Sequence, residues 1–127
     1  MAGTQIPRAR FRRLVATALD SLPPQFAERL DNVEILVRMR PTPAELESVG
    51  TEAGGTLFGL YQGVPLTRRG HLYGSTLPDR ILIYQEPIEA ICESEEEVIA
   101  QVRKTVLHEI AHHFGIDDER LEELGLD

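Results

Sequence analysis

The sequence is poor in the residues that would point to several common protein classes. It has one cysteine, no tryptophan and only 6% aromatic residues. A lone thiol, Cys92, excludes an intrachain disulfide framework and suits a reducing compartment. No apolar run reaches the roughly 20 residues of a membrane-spanning helix. The first residues, MAGTQIPRARFRRLVATALDSLPP, carry arginines but no uninterrupted apolar stretch and no cleavage signal, so a cytoplasmic protein is expected. Basic residues are outnumbered, 13 against 21 acids, giving a formal net charge of −8. That balance argues against nucleic acid as a partner. Glycine-rich phosphate cradles are also missing. Gly54-Gly55, Gly63 and Gly70 lack the strand–glycine–helix setting and the following Lys-Ser/Thr. No repeat or low-complexity segment is present.

What remains is ordinary globular material: 127 residues, 42% hydrophobic and 27% charged, enough for a single domain with one modest core. Charge is unevenly spread. Residues 1–40 balance at +3, residues 41–85 at −1 and residues 86–127 at −10. The acidic end favours a bound cation, although most of its glutamates suit a solvated helical face equally well.

Hydrophobic periodicity sets out the elements. Phe11, Leu14, Val15, Ala18, Leu19 and Leu22 recur at helical spacing from Arg8 to Leu22, and Pro23-Pro24 stops that helix. A short helix over Gln25–Leu30 follows. Val33–Met39 alternates as a strand with one buried face, and Pro41-Thr42-Pro43 breaks it. Pro43–Val49 suits one or two helical turns capped by Thr42, and Gly50–Gly55 a loop. Thr56–Gln62 reads as a second strand in which Gly59 marks a bulge or a close approach. Gly63–Pro78 reads as a long loop with a short hairpin near His71–Tyr73. Arg80–Gln85 is a third strand, either covered on both faces or a short edge strand able to pair with an extended peptide. Pro87–Cys92 forms a link, either irregular or with a helical turn. Ser94 and Glu97 make a capping box, with Glu95, Glu96 and Glu97 in the first turn of the longest helix. That helix runs to about Phe114, where Gly115 is placed to terminate it, and a last short helix spans Asp118–Leu124.

The chemistry sits on the longest helix. His108-Glu109-Ile110-Ala111-His112 has HExxH spacing, and Gly115 and Asp118 extend it to HExxHxxGxxD. At average composition the extended pattern arises by chance in on the order of one in 100,000 chains of this size. At about 100° per residue, His112 lies about 40° from His108 and Glu109 about 100° away, while Ile99, Val106, Ile110 and Phe114 occupy the far side. Both imidazoles can therefore reach one metal ion, with Glu109 beside them as a base rather than a ligand. A catalytic zinc needs a third protein ligand. Only nine residues follow Asp118 in the sequence, so a local ligand is expected. Asp118 has the best spacing, and Asp117, Glu119 and Glu122 compete with it. His113 suits a packing or capping role, and Cys92 a small buried side chain.

His108, Glu109, His112, Gly115 and Asp118 resemble the zincin metallopeptidase signature. The wider runs LFGLYQGVPLTRR, LPDRILIYQEPIE and TVLHEIAHHFGIDDERLEELG resemble the small bacterial minimal zincin family from about Val33 to Gly125. The resemblance implies an α+β fold in which a small twisted mixed sheet packs on the HExxH helix together with an N-terminal helix. It implies one Zn2+ per chain held by His108, His112 and Asp118, with Glu109 as general base. It also implies hydrolysis of a peptide or protein substrate. His71, Tyr73, Arg80 and Tyr84 are the side chains available to steady an oxyanion. Two features depart from larger relatives. Met1 and Met39 both precede the motif, so no methionine turn is expected after it, and with nine residues after Asp118 the lower cleft wall is expected to be missing or to come from the N-terminal helix or a partner molecule. The same ligands would also serve a zinc-binding, catalytically weak interaction module, or an accessory protein with one dedicated partner.

Overall fold

The computed structural model describes residues 6–31, 33–51, 58–63, 79–113, 115 and 118–123, the side chains of 48–51, 118, 121 and 122 aside. Helix α1 spans Arg8–Asp20, and α2 (Pro24–Ala27) runs into a 3-10 turn over Glu28–Leu30. Strand β1 covers Val33–Arg38 and helix α3 Pro43–Thr51. Strands β2 (Gly59–Gln62) and β3 (Asp79–Tyr84) follow. Helices α4 (Gln85–Ile91), α5 (Glu95–His113) and α6 (Asp118–Glu123) complete the chain. The expected hairpin near His71–Tyr73 and most of the expected loops lie outside the described residues. Gly50 belongs to the end of α3 rather than to a loop, and of the two forms expected for Pro87–Cys92 the helical one is found, as the end of α4.

The three strands form one mixed sheet in the order β1-β3-β2. β1 runs parallel to β3, with Val33 opposite Asp79 and Arg38 opposite Tyr84. β2 runs antiparallel to β3, with Gly59 opposite Ile83 and Gln62 opposite Arg80. β3 is therefore the central strand, and both of its edges are taken. This corrects the idea of Arg80–Gln85 as an edge strand open to a peptide. Its apolar run is continuous because it is covered on both faces, as buried central strands are.

Strand alternation divides the apolar side chains between two faces. Ile81 and Ile83 join Phe11, Leu14, Val15, Ala18, Val102, Val106 and Ile110 in the main core, with Val33, Ile35, Val37 and Tyr61 packed against it. On the opposite face, Leu60, Leu82 and Tyr84 form a smaller cluster with Leu36. α1 and α5 thus cover one side of the sheet. Outside the core, the two helices are tied by Arg10, whose Nε donates to Glu95 Oε2 at 2.8 Å. The arginine holds the Glu95 carboxyl below its usual range, first through that hydrogen bond.

Local caps fix the helix starts. Glu45 N donates to Thr42 Oγ1 at 3.1 Å while Thr42 N donates to Glu45 Oε1 at 3.0 Å, a reciprocal box at the head of α3. Tyr84 Oη donates to the same Glu45 oxygen at 2.8 Å. Glu97 N donates to Ser94 Oγ at 3.1 Å as expected, although Glu97 reaches back to Glu93 N rather than to Ser94 N. Among the described residues no helix is long and apolar enough to cross a membrane.

Candidate metal centre

α5 is packed on two sides. Val102, Val106 and Ile110 face the main core, and Thr105 and Glu109 are buried on the side that meets β2. The remaining stripe carries Gln101, Lys104, His108 and His112. The imidazoles of His108 and His112 lie one turn apart, their ring centroids 4.4 Å from each other and their planes tilted by 59°. His112 Nε2 is buried and has no hydrogen-bond partner among the described residues. A buried polar atom left in that state is costly unless something else occupies it. An imidazole nitrogen is a common zinc ligand, so the pair fits a metal ion.

Glu109 is 3% exposed, which is unusual for a carboxylate. Its Oε1 accepts a hydrogen bond from Tyr61 N at 2.9 Å. Phe58 O accepts from Tyr84 N at 2.9 Å, so residues 58, 60 and 62 direct their backbone groups toward β3. Tyr61 N then points to the other edge of β2, where it meets Glu109. The strand can come this close because Gly59 has no side chain. A Cβ there would stand 2.6 Å from Thr105 Cγ2 and 3.0 Å from Leu82 O. Gly59, one turn of α5 and Glu109 thus form a single packing unit.

A second layer fixes Tyr61 itself. Its hydroxyl donates to Asp79 Oδ2 at 2.7 Å, and its ring stacks on His113 at a centroid distance of 4.0 Å and 15° between planes. His113 Nε2 lies 3.8 Å from the same Asp79 oxygen. His113 is therefore a packing residue, and Tyr61 and Asp79 are supporting residues that the sequence alone did not single out. Nothing in the spacing of Tyr61, Asp79 and His113 announces that they meet, since the contact depends on β2, β3 and the end of α5 coming together.

α5 ends after His113. Gly115 takes a φ of +77° and its N–H donates to His112 O at 3.2 Å, the left-handed termination its position called for. The chain then re-enters a helix at Asp118, the first residue of α6. The side chains of Asp117 and Asp118 lie outside the described residues. Among the described residues no three His, Cys, Asp or Glu side chains form a metal-holding group; what they bring together is the histidine pair with Glu109 beside it.

Of the four candidates for oxyanion stabilisation, His71 and Tyr73 lie outside the described residues. Tyr84 is fully buried with its hydroxyl committed to Glu45, and burial first, then Glu45, raises its pKa. Arg80 is partly buried on β3, at a position that alternates with Ile81 and Ile83. Cys92 is buried before α5, and burial raises its thiol pKa. Beside His108, a cavity of about 240 Å³ is lined by Phe58, Gln101, Lys104, Thr105 and His108.

Comparison with known proteins follows the same lines. A family model described as zincin-like metallopeptidase matches residues 30–126. A search of curated proteins found no match. Among solved structures, the chain is similar to a conserved hypothetical protein from Thermo thermophilus, with 24% identity, 86% of this chain and 94% of that chain covered, and a TM-score of 0.52. At that identity the likeness speaks to the fold. The family match takes in most of the sequence, from the turn before β1 through α6, and on that ground the chain belongs to the zincin-like metallopeptidase family.

Proposed function

We propose that this protein is a zinc-dependent metallopeptidase that hydrolyses peptide bonds with Glu109 as general base. The observation that carries the proposal is the state of Glu109: a carboxylate buried beside two neighbouring imidazoles and held at one oxygen by the Tyr61 N–H. A purely structural zinc site has no use for such an acid and would close its fourth position with another ligand.

His108, His112 and Asp118 would hold one zinc ion per chain. Bound there, zinc would supply Lewis-acid polarisation of a scissile carbonyl and a water of lowered pKa. The chain's own groups do the rest. Tyr61 N fixes Glu109 Oε1, so Oε2 is the oxygen assigned to take the water proton and to deliver it to the leaving amine nitrogen. Asp79 and His113 keep the Tyr61 ring, and hence that N–H, from shifting along α5. The enclosure of Glu109 by β2 limits competing water on that side.

The test is Glu109→Gln. The amide retains an acceptor for Tyr61 N, so the variant is expected to fold and to keep zinc while losing cleavage of a peptide library by on the order of 10²-fold or more. Cleavage at the wild-type rate would remove Glu109 as the base and the proposal with it.

A further inference from the structure

The cavity beside His108 is a built recess on the metal-facing stripe of α5. Its volume, about 240 Å³, lies below the range of drug-sized sites and suits a single side chain. Phe58, the residue before β2, supplies an aromatic wall. Gln101 Nε2 donates to Thr105 Oγ1 at 3.1 Å, which holds the amide in place against the recess. His108 closes the end next to the proposed metal. The charged group is Lys104.

Lys104 has no acidic neighbour along its own helix face. Residues 86–127 carry thirteen acids and three bases, yet no acid stands three or four residues from Lys104 along the helix. Those positions are Ala100, Gln101, Leu107 and His108. Glu97, two turns back on the same stripe, has its Oε1 engaged by Glu93 N. Among the described residues Lys104 forms no ion pair; the same holds for Arg103 beside it, but only Lys104 of the two lines the recess. Lys104 is thus the one charged basic side chain lining the recess next to His108.

We infer that this recess selects a carboxylate-bearing residue of the substrate, with Lys104 as the specificity-determining cation. The acid is an Asp or Glu side chain, or a free C-terminal carboxylate, next to the bond presented to Glu109. The inference rests on the metallopeptidase reading of the site, but the recess and its charge preference can be measured without turnover.

The experiment uses the full chain carrying Glu109→Gln, loaded with zinc, and a set of fluorescent hexapeptide amides. The set carries Glu, Gln or Lys at each position in turn. A Gln peptide with a free C-terminal carboxylate forms a separate arm. A Glu peptide is expected to bind about fivefold tighter than its Gln counterpart at one position, with Lys weakest. Lys104→Glu is expected to reverse that order, and its exposed position makes misfolding easy to exclude by circular dichroism. A preference for the free-acid arm alone would assign the recess to a chain terminus. Equal binding of all three peptides, no binding at all, or an order unchanged by Lys104→Glu would overturn the inference. The two proposals fail separately. Charge-selective binding with no hydrolysis by the wild type removes the peptidase reading and keeps the recess. Glu109-dependent hydrolysis that ignores Lys104 removes only the recess.

Discussion

Individual side chains in this protein take their roles from what the neighbouring strand leaves them. Glu109 is held because one backbone N–H of β2 reaches it, and His112 Nε2 is poised because nothing described reaches it. At the third ligand position, Asp118→Ala is expected to weaken zinc by about 10- to 100-fold and Asp117→Ala much less; competition against a chelator reads both, and the reverse order would reassign the ligand. Cys92 provides an independent check on packing. Burial, and secondarily Glu97, raise its thiol pKa, so less reactive thiolate exists at any given pH. The native protein should react with iodoacetamide at pH 8 far more slowly than the urea-unfolded chain; equal rates would contradict the buried placement. The histidines, the glutamate and the glycine turn were legible in the sequence because they share one helix and its end, and the helical period fixes which side chains meet. Tyr61 and Asp79 were not, because their meeting with His113 depends on strand pairing that no local pattern encodes.

Between elements, the decisive contact is that of β2 with α5. Gly59 permits it, and the sequence marked that glycine as a bulge or a close approach without naming the partner. Gly59→Ala would drive a methyl group into Thr105 and the Leu82 carbonyl, at an expected cost of about 1–3 kcal/mol. Urea unfolding of Gly59→Ala, Thr105→Ser and the double variant checks this: removing Thr105 Cγ2 should recover part of the loss, and full additivity of the two changes would contradict the contact. The strands themselves were legible from alternation, as at Val33, Ile35 and Val37, which pack toward the helices. Strand order was not. Arg80–Gln85 had two readings, and only the pairing of β3 with both β1 and β2 decides for the covered one. The cap of α3 shows the same limit. Thr42 was expected, whereas the double use of Glu45 by Thr42 and Tyr84 joins residues 39 positions apart.

For the molecule as a whole, α1 and α5 back one mixed sheet, and the zincin-like family match places the chain among proteins of metallopeptidase type. Metal binding should then couple to folding: zinc that binds only the folded state stabilises it by mass action, about 2.7 kcal/mol at a hundredfold excess over Kd. Everything proposed for the site depends on the metal itself. Native mass spectrometry of the zinc-reconstituted protein, run beside Glu109→Gln and His112→Ala, is the most direct measurement. One zinc per chain is expected in the wild type and in Glu109→Gln, with His112→Ala losing it. A wild type that takes up no zinc, or a His112→Ala variant that retains it, would contradict the central claim.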